Sequence, residues 1–179
     1  MTRLKRKLFC LLFLALPLFA IAETGSGSAH VKAPLPQAER PIPVELLGNT
    51  IEIRTGITRN EAKAMLSAIM PEVPTVDLKE MLQYDVQLVP GTAPVALVSY
   101  FDSQGNIERF VLDAYLKEQN PPAVKLIAWL NAQGIKPIKK YRERTIWRVG
   151  CWKIEHTDGG DGDDSAYRIE LIRMKPGRR

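Results

Sequence analysis

From Val44 onward, the hydrophobic and polar positions fall into short elements of two periods. Val44 to Leu47 and Thr50 to Ile53 are strand-like runs around Gly48-Asn49, a dipeptide that accepts positive φ and predicts a tight hairpin. Thr58 reads as an N-cap, with Glu61 three residues on to close a capping box. Ala62, Met65, Leu66 and Ile69 then share one helical face, until Pro71 and Pro74 stop the helix. Residues 75 to 84 carry no clear period, and Val76 to Leu82 reads as a short helical turn. Val95 to Phe101 is nearly all apolar, as a strand covered on both faces would be. Asp102 to Asn106 is a turn into a partner strand, Ile107 to Leu112.

A second helix is predicted from Asn120, its cap, with Pro121 at the first position and Ala123, Leu126, Ile127 and Leu130 as the buried stripe before Gly134. Trp129 projects about 120° from the centre of that stripe and should be partly exposed. The last third reads as a hairpin of Thr145 to His156 and Ala166 to Met174. Along its first arm Trp147, Val149 and Cys151 are odd-numbered while Trp152 and Ile154 are even, which predicts a bulge near Gly150. Tyr167, Ile169 and Leu171 alternate with Arg168 and Glu170, the mark of a sheet with one wet face. The order of elements predicts an α+β fold: an antiparallel sheet of sequential hairpins with two helices packed on one face, as one domain over residues 44–179.

The start of the chain follows neither period. Arg3, Lys5, Arg6 and Lys7 precede the apolar run Leu8 to Ile21, which ends in Ala20-Ile21-Ala22, the small-x-small pattern of a signal peptide cleaved after Ala22. Fourteen residues fall short of the roughly 20 that span a bilayer. Cys10 lies inside the run and makes no lipidation site. The expected location is therefore periplasmic or secreted. Residues 23–43, with Gly25 to Ser28 and four prolines between Pro34 and Pro43, read as a flexible linker.

Removing the leader changes the electrostatics. The whole chain carries +5, but 25 Lys and Arg become 21 against 20 acidic residues, leaving +1. The basic pI then reports the leader, and no nucleic-acid partner is implied. One cysteine, Cys151, remains, so no intramolecular disulfide is expected and stability must come from an apolar core.

Candidate chemistry is sparse. His30 and His156 are the only histidines, and no G-x-S-x-G elbow, phosphate-binding glycine loop or H-E-x-x-H helix occurs. His156, near a strand end, reads as a surface residue. Asp158, Asp161, Asp163 and Asp164 alternate with glycines and offer oxygen ligands to a hard cation such as calcium. The EF-hand pattern fails there, because the twelfth position is Ile169 from Asp158 and Ile172 from Asp161. A solvated hairpin tip explains the same residues. Lys136, Lys139, Lys140, Arg142, Arg144 and Arg148 stand against Glu143, with Tyr141 and Trp147 interleaved. This stretch suits an anionic protein surface or lipid headgroups, and equally an edge strand charged against aggregation.

Two resemblances add to this reading. Ile53 to Ala62 followed by Leu66 resembles the entry to the first helix of the SmpA/OmlA (BamE) family, and Val95 to Leu112 resembles that family's hairpin, with Phe101 and Gly105 in its F-x-x-x-G turn. Together they cover about a third of the mature chain. The family's L-G-x-P step and its lipobox are missing. The resemblance implies an envelope protein that binds other proteins through a two-layer α+β platform, without catalysis. Gln87-Leu88-Val89-Pro90-Gly91 is similar to the Q-x-V-x-G loop of cystatins and is expected to follow a helix, although Pro-Gly turn chemistry accounts for it as well.

The expectation is an exported, non-catalytic domain that binds a protein of the cell envelope, as an assembly factor or as an inhibitor or immunity protein. The candidate contact residues are Trp129, Tyr141, Arg142, Arg144 and Trp147. The rival class is an exported hydrolase whose carboxylates converge only in the fold.

Overall fold

The computed structural model describes residues 40–159 and 166–175. The expected signal peptide and nearly all of the expected linker fall outside these residues, as does most of the acidic loop.

Strands β1 (Ile42–Leu46) and β2 (Asn49–Ile53) form a two-stranded antiparallel sheet. They close on Leu47-Gly48, at φ 49 and 79, rather than on Gly48-Asn49. This register sets Ile42 opposite Ile53 and Val44 opposite Ile51 on the buried face. A turn at Gly48-Asn49 would leave Ile42 opposite Thr55. Pairing of buried β-branched residues thus offsets the strain of a left-handed leucine, and Asn49 Nδ2 donates to Leu47 O at 3.2 Å across the turn.

Helix α1 (Arg59–Ser67) begins as the sequence predicts: Thr58 Oγ1 accepts from Glu61 N at 3.3 Å, and Thr58 N donates to Glu61 Oε2 at 2.8 Å. Ala62 and Leu66 are buried, with Met65 and Ile69 packed against the core. The expected helical turn that follows is instead β3 (Val76–Asp77) and β4 (Met81–Val86). Leu82, Tyr84 and Val86 are buried and alternate with Met81, Gln83 and Asp85, a period of two that decides for strand.

Strands β5 (Val95–Phe101) and β6 (Ile107–Ala114) make the expected hairpin, with a register irregularity at Tyr100/Phe101. A 3-10 turn at Lys117–Gln119 leads to α2 (Pro121–Ala132), where Asn120 accepts from Ala123 N at 3.2 Å through its side chain. Next come β7 (Lys139–Lys140), β8 (Arg144–Val149), β9 (Trp152–Asp158) and β10 (Tyr167–Arg173). The bulge expected near Gly150 is absent. Val149 pairs with Trp152 across a two-residue turn, Gly150-Cys151, whose glycine has φ 58. The apolar phase changes because the chain reverses there into a new strand.

Eight strands form the larger antiparallel sheet in the order β3-β4-β5-β6-β10-β9-β8-β7. The chain runs through the same unit twice, a helix then four strands, α1 with β3 to β6 and α2 with β7 to β10. The two units join where their last strands pair. Overall the described chain is α+β and mostly sheet. Leu82, Leu97, Phe110, Leu171, Ile154 and Trp147 share one core cluster with Ala62 and Leu66 of α1, Ala123, Leu126 and Leu130 of α2, and the inward residues of β1 and β2. No helix of the described residues is long and apolar enough to cross a membrane.

Candidate functional site

Side chains of paired strand residues lie on the same face, so the strand register traces the second face of the large sheet in three rows. The first row runs Asp85, Ala96, Asp113, Arg168, Thr157 and Arg144. The second is Gln83, Val98, Val111, Glu170, Glu155, Ile146 and Lys139. The third is Met81, Tyr100, Arg109, Ile172, Lys153 and Arg148. None of these residues belongs to the core cluster.

The middle of this face is a lattice of charge. Glu170 of β10 and Glu155 of β9 are directly opposite, a repulsive pairing taken alone. Each is neutralised by two cations. Arg109 lies 2.9 Å and Arg168 3.5 Å from Glu170, while Arg144 lies 3.0 Å and Lys153 2.9 Å from Glu155. Burial pushes the Glu155 carboxyl up, but Lys153 and Arg144 outweigh it and hold it below its usual range. Arg168 also pairs with Asp113, and that hydrogen bond raises the guanidinium still further. The Arg109 guanidinium stands 5.1 Å over the Tyr100 ring. Val98, Val111 and Ile146 are at most 7% exposed on this face.

Charge changes sign along the face. Asp85 is the one charged residue that β4 and β5 place on it. At the centre Arg109 and Arg168 balance Asp113 and Glu170. On β7 to β9, Lys139, Arg144, Arg148 and Lys153 face Glu155 alone. Arg148 is exposed, lies directly across from Lys153, and makes no ion pair among the described residues.

The residues singled out from the sequence separate here. Tyr141 is 48% exposed, and the Arg144 guanidinium sits 4.9 Å over its ring, so these two come together at the basic end of the face. Arg142 is nearly fully exposed, 4.0 Å from Glu143. Trp129, partly buried on α2, has the Arg40 guanidinium 5.7 Å over its ring and belongs to another surface. Trp147 is 3% exposed, on the core side of β8 between outward Ile146 and Arg148, so it is corrected from a contact residue to a core residue. Its odd-numbered phase, shared with Val149, is the signal that assigns it inward.

His156, expected at the surface, is also inward. Its ring meets Tyr167 edge-on at 4.7 Å, its Nε2 is buried, and burial lowers its pKa. Asp158 ends β9, while Asp161, Asp163 and Asp164 lie outside the described residues, so the calcium expectation falls on residues that are not described. Among the described residues, no three His, Cys, Asp or Glu side chains gather as a metal site. Gln87 to Gly91 follows strand β4 rather than a helix. It is a turn, in which Thr92 N donates to Val89 O at 3.2 Å and Gly91 takes φ 78.

Sequence reasoning missed the charge lattice because its members lie on four strands, from Arg109 to Glu170, and no local motif joins them. The outward phase of Arg168 and Glu170 was its visible trace. Compared with known proteins, the chain matches no protein family, no curated protein and no solved structure.

Proposed function

We propose that the chain is an exported, non-catalytic protein-binding domain of the cell envelope, an assembly factor or an inhibitor or immunity-type protein, and that the charged face of its large sheet is the docking surface. In this reading α1, α2 and the β1-β2 hairpin pack on one face of the eight-stranded sheet, which fits the core cluster drawing residues from all of them. The other face is then left to a partner.

The observation that carries the reading is the face itself. Its six longer strands span about 25 Å by 20 Å, a flat area of about 500 Å² that side-chain relief enlarges, against the roughly 800 Å² that each partner buries in a standard interface. Its centre holds tyrosine and arginine in a fixed network, residue types that dominate binding energy at protein interfaces. The leader expected at residues 1–22 and the partial resemblance of Ile53 to Ala62 and Val95 to Leu112 to the SmpA/OmlA (BamE) family are in keeping with an envelope location and a binding role.

The hydrolase reading receives less support. Among the described residues the displaced carboxyls, Glu61, Asp77, Asp102 and Glu155, are all lowered by hydrogen bonds and cations, the opposite of what a general acid needs.

Photo-crosslinking tests the proposal. A photoreactive residue at Met81 or Tyr100 should yield a discrete adduct in cells, and one at Ala128, exposed on α2, should not. Adducts of equal yield from all three positions, or none from the sheet face, would overturn it.

A further inference from the structure

We infer that the partner presents an acidic protein segment to the β7–β9 end of this face, with Arg148 as its anchor; this rests on the docking surface proposed above. The two ends of the face differ in charge. Strands β4 and β5 contribute one carboxylate and no cation to it, whereas β7 to β9 contribute four cations and one carboxylate. Glu155, that carboxylate, is already engaged by Arg144 and Lys153, and little of its side chain is exposed. Lys139 and Arg148 are the two of these cations without an ion pair among the described residues; Arg148, whose Nε donates to Gly150 O at 3.4 Å, is set directly opposite Lys153. Like charges facing each other across an antiparallel pair destabilise it, and an incoming carboxylate would reverse the sign of that interaction. Tyr141, half exposed, adds an aromatic platform under Arg144, which lies four residues along β8 from Arg148.

A membrane fits this corner less well. Its two most exposed apolar side chains are Ile138, 58% exposed, and Tyr141. Lys139 and Lys140 pair with Ile146 and Thr145, so Ile138 follows the core-facing phase of the strand while Tyr141 lies with Arg144 on the charged face. They point to opposite sides of the sheet and cannot enter one bilayer plane together. A single acidic segment laid across the charged face meets Arg144, Arg148, Lys153 and Tyr141 at once.

The test uses the soluble protein purified after expression with its own leader, and a fluorescein-labelled 15-residue Glu- and Asp-rich peptide, followed by anisotropy. Binding is expected at low salt and should weaken as salt is raised. Arg148→Glu should reduce affinity about fivefold to tenfold, and Arg148→Gln by about half as much on a logarithmic scale. Lys79→Glu, the same charge change at an exposed site outside the patch, should have no more than about a twofold effect. No binding up to about 1 mM, equal losses from Arg148→Glu and Lys79→Glu, or preferential binding to phosphatidylglycerol vesicles would overturn the inference. If crosslinks from Met81 and Tyr100 survive in that case, the docking surface stands and only the acidic nature of the partner falls.

Discussion

Trp147 offers a direct test of how the sheet divides into a core face and an outward, charged face. Its side chain is 3% exposed and clusters with Ile154, Val149 and Trp152, while its chain neighbours Ile146 and Arg148 point the other way. Removing a fully packed large aromatic costs about 3–5 kcal/mol, from lost transfer energy plus the cavity left behind. For a chain of this size that should lower Tm by roughly 10–15 °C. Trp147→Phe keeps a ring in the same slot. Because Trp147 Nε1 makes no hydrogen bond to a described residue, that change loses mainly area, about 1 kcal/mol. Tyr141→Ala, at a half-exposed position, should stay within about 0.5 kcal/mol of the parent. Urea titrations of the three variants, read as midpoints at constant slope, measure all of this. A Trp147→Ala protein as stable as its parent would refute the assignment of β8's two faces, and with it the row containing Arg144 and Arg148.

Thr58→Ala should cost about 1 kcal/mol by removing the N-cap of α1, seen as a lower urea midpoint; an unchanged midpoint would mean that the capping box is not formed. Gly150→Ala should cost about 1–2 kcal/mol, read as a lower urea midpoint, because the β8–β9 turn holds positive φ there. His156 should make stability depend on pH. Burial lowers its folded pKa below the ordinary 6.5, so the unfolded chain binds the proton more readily. Its contribution is complete above pH 6.5 and declines as pH falls below that value toward the folded pKa. Denaturation midpoints between pH 5 and 8 should show this slope, and His156→Phe, which keeps a ring against Tyr167, should flatten it.

Local signals in the sequence were decisive where the chemistry was local. Thr58 and Glu61, Asn120 and Pro121, and the apolar run Val95 to Phe101 each carry their reason within a few residues, and each formed the element that they predict. Errors arose where a distant contact made the choice. Leu82, Tyr84 and Val86 are a strand because β5 lies beside them, and their alternation is short enough to pass for a helical turn. The β1–β2 turn moved one residue because burial of Ile42 against Ile53 outweighed the better turn dipeptide. Trp147 was drawn into a surface reading by the cations on either side of it, although period two places those neighbours on the opposite face. The charge lattice was out of reach for the same reason: Glu155 and Glu170 become neighbours only when β9 pairs with β10.

That pairing also separates the outward face, the docking surface proposed above, from the residues that hold the fold together. Each half of the sheet supplies its own helix and four strands, and the inward residues of both halves feed one apolar core. The outward rows contribute little to that core, and partly exposed ion pairs of the kind that fill them stabilise by at most about 1 kcal/mol each. Substitutions among the exposed ion pairs of the outward face are therefore nearly free energetically, while changes at the buried Val98, Val111 and Ile146, or any exchange between inward and outward phase, are not. The present asymmetry, one carboxylate on β4-β5 against four cations on β7 to β9, is a difference that folding does not require. A cross-strand Arg148–Lys153 pair is mildly unfavourable for folding, and its presence is accounted for if an acidic partner completes it.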